Sequence, residues 1–433
     1  MSEQTVNTTA VQADPLDEAA TGVRPISWKY PITYAVLAAL GVLFALTNPA
    51  GAHTLFRLSS GGDFFEIPLI ELPSRPAGWI LGLLLLGLTA FAFWKASRRA
   101  RTGLWLPLLF GVGFVLTFLV WAGADRGAVI PLVTMLTGAL ALSVPLIFGA
   151  MGGLVGERSG VINIAIEAQL LAGAFLAAVA ASVFTSAYMG LLFAPLAGAM
   201  VGALLVFFSV KYQVNQIIVG VVLNVLVIGL TGYLFSTVLT QNAEVWNARQ
   251  QLPDLPIPVL SQIPVIGPVL FDQTILVYLM YILVVVLNVF LFRSRWGLRT
   301  RAVGEHPKAA DTVGIKVNRM RVYNVILAGG IAGLGGAFFT IGQGLAFGKE
   351  MSAGAGFIAL AAMILGRWHP IGALLAALLF GFSTSLGNVL ATIGTPVPSE
   401  ALLMLPYVIT IFAVAGFVGR VRPPAANGTP YVK

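Results

Sequence analysis

Residues 301–315 read Arg-Ala-Val-Gly-Glu-His-Pro-Lys-Ala-Ala-Asp-Thr-Val-Gly-Ile, a basic, alanine- and glycine-punctuated stretch between two long apolar runs. Pro307 suits the first turn of a short helix running through Ala309 and Ala310 to about Val313, and Gly314 can end it in a left-handed conformation. Glu305 sets a negative charge ahead of that helix, where the helix dipole favours it. A chain otherwise spent on apolar runs has little reason to build a short polar helix unless something soluble grips it. The other reading is a basic loop held at anionic lipid headgroups.

Working outward, composition explains why this stretch stands out. Hydrophobic residues make up 58% of the 433 and charged residues only 10%, where a soluble domain carries about 25% charged residues. Mean hydropathy is +0.91. Apolar runs of roughly 18 residues or more recur, each long enough to cross a ~30 Å hydrocarbon layer. Alternating ~10-residue segments of the β-barrel kind do not appear. The chain is therefore expected to be an all-α, polytopic transmembrane bundle.

Spans are expected near 31–47, 77–94, 103–122, 130–152, 161–187, 189–210, 216–238, 273–292, 322–343, 355–366, 370–391 and 401–418. The run at 355–366 is short and glycine-rich, so the count is roughly 10–12. With the N-terminus inside, 20 of the 25 Lys and Arg fall in cytoplasmic connections, eight of them between Arg293 and Arg321. Arg57, Arg75, Arg126, Arg249 and Lys349 are left outside. That asymmetry sets the expected orientation, with both termini in the cytoplasm. The formal charge of +8 thus belongs to the membrane-facing loops and calls for no nucleic acid.

Four regions follow. Residues 1–29 are polar and lack an apolar h-region, so they read as a disordered cytoplasmic tail instead of a signal peptide. Residues 30–129 form an N-terminal transmembrane extension with an outside loop at 48–76. Residues 130–420 form the main transmembrane domain, with an outside loop at 241–272 and a cytoplasmic loop at 293–321. Residues 421–433 read as a cytoplasmic tail. The loop 241–272 carries Pro253, Pro256, Pro258, Pro264 and Pro268. It is either an extended cap over the outer mouth or a passive linker.

Catalytic chemistry finds little support. His53, His306 and His369 are scattered, without metal-ligand spacing. No GxxxxGK[ST] phosphate loop occurs, and Ser159 lacks the Gly-x-Ser-x-Gly frame. With no cysteine, thiol chemistry is absent. No enzyme activity, cofactor or metal is called for.

The second informative stretch is 152–170, Gly-Gly-Leu-Val-Gly-Glu-Arg-Ser-Gly-Val-Ile-Asn-Ile-Ala-Ile-Glu-Ala-Gln-Leu. Its glycines, with poor helix propensity, predict a broken helix near 152–165 around Gly156, Glu157 and Gly160. Asn163 and Glu167 then lie four apart on one face, with Gln169 beside them. Ionisable groups within spans are costly and usually face a cavity or the bundle interior. These residues, with Asn224 and Gln343, are candidates to line a solute pathway. A structural hydrogen bond to a neighbouring helix accounts for each of them as well. The glycines at 329–336 and the Ala/Gly-rich 353–362 read mainly as close helix packing.

Three stretches together carry a family resemblance: Gly156-Glu-Arg-Ser-Gly-Val-Ile-Asn-Ile with Glu167, Arg301-Ala-Val-Gly-Glu-His-Pro-Lys-Ala-Ala, and Gly354-Ala-Gly-Phe-Ile-Ala-Leu-Ala-Ala-Met-Ile-Leu-Gly-Arg-Trp-His-Pro. With the spans between them they cover roughly 130–418. They resemble the permease subunits of bacterial ABC importers, nearest the branched-chain amino acid and simple-sugar class and, within it, the nucleoside permeases. The resemblance implies the type II importer permease fold in the bacterial cytoplasmic membrane. It also implies partners: a second permease subunit, cytoplasmic ABC ATPases and an extracytoplasmic substrate-binding protein. By the same resemblance Arg301, Gly304, Glu305, Lys308, Ala309, Ala310 and Gly314 form the loop that docks into the ATPase. Lys308 stands where many importers carry an acidic residue. The first hundred residues depart from the short family form. A simple sugar or a vitamin is the substrate alternative to a nucleoside. An ion-coupled secondary transporter or a non-transporting scaffold are the other rivals.

Overall fold

The computed structural model describes residues 28–59, 61–100, 103, 105–395, 397–398, 401–402, 404, 407–408 and 422–432. The expected tail at 1–27 and most of the expected span 401–418 lie outside these residues. The chain divides into two compact units, residues up to 54 with 72–125, and 55–71 with 126 onward.

In the first unit, helices α1 (Lys29–Thr47), α2 (Ser74–Ser97) and α3 (Trp105–Ala122) pack together. Their shared core is Tyr34, Ala38, Leu85, Ala92, Leu106 and Phe110, with the Tyr34 and Phe110 rings stacked 4.5 Å apart. Two buried polar side chains find backbone partners within this unit. Thr54 Oγ1 donates to the Val120 carbonyl at 2.8 Å, and Asn48 Nδ2 donates to the Ser74 carbonyl at 3.0 Å. The expected outside loop 48–76 is thus shared, since residues 55–71 belong to the second unit.

The second unit holds α4 (Leu132–Arg158), α5 (Ile166–Val183), α6 (Ala187–Val206), α7 (Gln216–Leu234), the single turn α8 (Ala243–Trp246) and α9 (Ile275–Arg293). Then come α10 (Arg295–Glu305), α11 (Pro307–Thr312), α12 (Val317–Ala337), α13 (Ala355–Leu365) and α14 (Pro370–Ile393). Among the described residues, ten helices are long and apolar enough to cross a membrane. In hydrocarbon every backbone group must bond within the protein, which is why apolar runs of this length become helices. Helix α13, at 11 residues, rises only about 16 Å, roughly half the ~30 Å layer.

Burial separates core from rim. The spans containing α5 and α12 are each 72% buried, whereas α1 and α2 stand at 28%. Helix α12 lies against α4, α5 and α6, and its glycines let backbones meet. A Cβ on Gly173 would fall on the Gly333 carbonyl, and one on Gly198 would fall on that of Gly329. The packing reading of 329–336 is what these contacts describe.

The loop 241–272 is folded and docked. Asp254–Pro256 pairs antiparallel with Asp272–Thr274. Asn247 brackets Phe347, donating to its carbonyl at 3.0 Å and accepting from its N–H at 2.8 Å. Leu252 N–H donates to the Ile341 carbonyl. At the opposite end of the bundle, the basic end, lie Arg158, the α10–α11 pair, the start of α12, the α13–α14 turn and residues 422–432.

Candidate functional site

Helix α4 runs without interruption through Gly152, Gly153 and Gly156 and stops at Arg158. The break occupies 159–165, so Gly156 and Glu157 belong to the last helical turn instead of the interruption, and only Gly160 sits within it. The reason is tertiary. A Cβ on Gly152 would meet the Ala328 carbonyl, and Gly156 lies against the Ala328 methyl, so α12 selects small residues that stay helical. Gly160 has φ +88°, a conformation that suits glycine.

A broken span must find partners for its freed backbone. Side chains from two helices, α7 and α12, supply them. Gln216 Oε1 accepts from Ile162 N–H at 2.7 Å. Asn224 accepts from Ala168 N–H at 2.9 Å and donates to the Ile164 carbonyl at 3.0 Å. Arg321 Nε donates to the Ser159 carbonyl at 3.2 Å. Asn163 and Gln169, both fully buried, exchange two amide hydrogen bonds of 3.0 and 3.2 Å across the turn.

Asn224→Ala would strand both the Ala168 N–H and the Ile164 carbonyl, each costing about 1–3 kcal/mol. We expect the apparent melting temperature of the detergent-purified protein to fall. Asn224→Asp, which keeps the acceptor but loses the donor, should fall between Asn224→Ala and the parent. Equal melting of all three would refute the staple.

Glu167 opens α5 and is 4% exposed. Its Oε1 accepts from Ser352 Oγ at 2.7 Å and from Gly354 N–H at 2.9 Å, and Oε2 accepts from Gly356 N–H at 2.6 Å. The carboxylate therefore caps the buried N-terminus of the half-length α13, where unsatisfied N–H groups and the helix dipole favour an anion. A Cβ on Gly356 would collide with the Glu167 backbone.

Of the five polar residues singled out from sequence, Asn163, Glu167, Gln169 and Asn224 thus come together around one break. Their hydrogen bonds go to one another, to backbone and, at Glu167, to the Ser352 hydroxyl. Gln343 stands apart, exposed at the far end of the α12 span, beyond the π-turn Phe338–Gly342. Sequence reasoning missed Gln216, Ser352 and the Glu157 partners: Trp368 Nε1 at 2.7 Å and Asn427 Nδ2 at 3.0 Å both donate to Glu157 Oε2. Those partners lie more than 200 residues away and have no local signature.

At the basic end, the 293–321 stretch is more helical than expected. Ser294 caps α10 by accepting from Gly297 N–H at 3.1 Å, and Arg301, Gly304 and Glu305 are all helical. Helix α11 begins at Pro307 as anticipated, and Gly314 has φ +86°. Ala310 is buried with Val303 and Val317, and Gly304 is buried too, so these two anchor the element from within. Lys308, Ala309 and Gly314 are exposed, as is Val313, at 76%. Beside them a groove of about 700 Å³ is lined by Leu298, Arg299, Ile315, Lys316, Arg319 and Tyr323, among others.

These features define a multi-pass membrane permease: a buried, broken-helix core and a small rigid projection at one end. The chain belongs to the family described as branched-chain amino acid transport system / permease component, whose profile matches residues 135–414. It is 38% identical to the guanosine ABC transporter permease protein NupQ of Bacillus subtilis over 68% of this chain and 95% of that one. It is 41% identical to the nucleoside ABC transporter permease protein NupC of Lactococcus lactis, with the same coverage. A putative glucose ABC transporter permease protein of Haloferax volcanii is 31% identical over 58% of this chain and 76% of its own. No solved structure matches.

Proposed function

We propose that this chain is the membrane-spanning permease subunit of an ATP-driven importer that carries a nucleoside into the cytoplasm by alternating access. It sits in the bacterial cytoplasmic membrane with the basic end inside, where positively charged connections are retained. Nucleotide hydrolysis takes place on separate ABC ATPase chains. A second permease subunit completes the path, and an extracytoplasmic binding protein delivers the solute. The observation that carries this reading is the exposed projection α11, seated by Ala310 on α10 and α12, in a chain similar to permeases named for nucleosides. The face formed by Lys308, Ala309, Thr312 and Val313 is the docking surface for the ATPase. The network of Asn163, Glu167, Gln169 and Asn224 shapes the wall of the path by holding the break and α13 in place. Few charges lie deep in the spans, which suits a neutral solute.

The test is purification from the native membrane in mild detergent. The unmodified chain should bring down an ABC ATPase in near-equal amount. Ala309→Trp with Val313→Asp points outward and should leave folding intact while reducing co-purification and guanosine uptake about tenfold, a loss of ~1.4 kcal/mol in docking. A folded chain without any ATPase would overturn the importer reading. The glucose permease relative makes a simple sugar the second reading, and competition of guanosine uptake by uridine against glucose decides between them.

A further inference from the structure

The C-terminal segment belongs neither to the solute path nor to the docking face, yet it touches five neighbouring parts of the basic end. Ala425 N–H donates to Glu305 Oε2 at 3.1 Å, and Ala426 N–H donates to the Gly304 carbonyl at 2.8 Å. Asn427 Nδ2 donates to Glu157 Oε2 at 3.0 Å, and Gly428 N–H donates to the Gly160 carbonyl at 3.3 Å. Arg321 Nη1 donates to the Thr429 carbonyl at 2.8 Å. Tyr431 packs against Val303, Ala310 and Val317 and hydrogen-bonds Asp311 on α11. This short run of residues thus binds the end of α4, the helix break, α10, α11 and α12.

The placement has a mechanical consequence. Helix α11 rests on a small core of Val303, Ala310 and Val317, and Tyr431 closes that core. On its other side the segment is fixed to Glu157 and Gly160, just ahead of Asn163. A Cβ on Gly160 would meet both Arg321 and the Ala426 carbonyl, so the break and the segment fit each other at backbone distance. Arg321, 1% exposed, spans the junction, with Nε on Ser159 and Nη1 on Thr429. A buried guanidinium is held by the hydrogen bonds it donates. Nη2 finds no partner among the described residues, so the bonds of Nε to Ser159 and of Nη1 to the segment carry it.

We propose that Ala425–Tyr431 is a transmission strap, with Asn427 and Arg321 as its positioning residues. It joins the α10–α11 projection to the break after α4, so that a displacement imposed on α11 moves the Asn163–Glu167 turn. The proposal rests on the importer reading for the source of that displacement, but not for the seating of the strap.

The chain has no cysteine, so a single introduced thiol reports alone. In native membranes, Ala426→Cys, at a buried position, should react with a maleimide about tenfold more slowly than Ala425→Cys, at an exposed one. Equal rates overturn the seating. For transmission, a chain truncated after Val421 is reconstituted with its ATPase partner. It should keep ATP hydrolysis while the nucleoside moved per ATP falls about tenfold, within the range by which network residues alter coupling. A strap that only aids folding would lower both together. Should the truncated chain fail to accumulate, Asn427→Ala and Tyr431→Ala carry the same measurement. Unchanged coupling in those variants overturns the proposal. Absence of ATP-driven uptake by the unmodified chain would instead sink the importer reading, leaving the labelling result to stand for the seating.

Discussion

Replacing Glu167 with alanine is expected to unseat α13 and to produce one of the two largest losses of stability of any single change in the chain. The carboxylate takes three donors, from Ser352, Gly354 and Gly356, and all three bonds lie within the bundle. Hydrogen bonds to a charged acceptor contribute about 1.5–3 kcal/mol each, so the sum is on the order of several kcal/mol even with generous overlap. The N-terminus of α13 adds the attraction of its dipole for a negative charge. Helix α13 is too short to reach across the layer, so its N-terminus lies where water does not serve it. Ala355 and Phe357 N–H reach the Ser352 and Gly354 carbonyls, which leaves Gly354 and Gly356 N–H to Glu167.

Three variants separate these terms. Glu167→Ala should lower the apparent melting temperature by roughly 5 °C or more. Glu167→Gln keeps one carbonyl acceptor but turns an amide N–H₂ toward Gly356 N–H or Gly354 N–H, and should fall between alanine and the parent. Ser352→Ala removes one donor without orphaning a backbone group, and should cost about 1.5–3 kcal/mol, less than Glu167→Ala. If Glu167→Ala melts with the parent protein, the cap does not exist.

The same residue shows how far sequence reading reaches. A carboxylate near the start of an apolar helix is conspicuous, because charge inside a span is expensive. That it caps another helix is not visible, since Gly354 and Gly356 lie 187 and 189 residues away. The spans themselves are legible because run length alone decides whether a segment can cross. The exact stop of α4 is not. Propensity puts the break near 152–165, around Gly156, Glu157 and Gly160, and close approach to Ala328 keeps Gly152 and Gly156 helical. Helix α11 is legible from Pro307 and Gly314, whereas α10 is not, its 11 residues being basic and without terminal signals beyond Ser294. The strap is least legible of all. Its contacts are largely backbone N–H and C=O groups, which carry no residue signature, and Pro423, Pro424 and Gly428 read as a loose tail.

The second large effect is expected at Gly336. On α12 it faces the Leu170 carbonyl of α5 so closely that a Cβ has no space, while Gly333 faces the Ala194 carbonyl of α6. Helix propensity alone favours alanine over glycine by about 0.5–1 kcal/mol. In α7, a methyl added at Gly229 or Gly232 would have nothing within 4 Å of it. Gly229→Ala and Gly232→Ala should therefore be neutral or slightly stabilising. Gly336→Ala should reverse the sign, because the helices must part to admit the methyl. Helices in lipid are held by dispersion and close approach, and a gap of about 0.5–1 Å forfeits a quarter to a half of each contact. Overpacking typically costs about 1–3 kcal/mol, and here the obstacle is backbone, which cannot swing aside, so the upper end applies. Gly336→Leu should not accumulate in the membrane at all. Melting curves of the three alanine variants, taken side by side in one detergent, make the comparison. A Gly336→Ala protein as stable as Gly229→Ala would mean that α12 does not touch α5 at backbone distance. The displacement would not stay local, since α5 carries Glu167 in its first turn and α12 carries Arg321 near its start. A methyl at Gly336 should therefore disturb the α13 cap and the break together, and loss of nucleoside uptake should accompany the loss of stability.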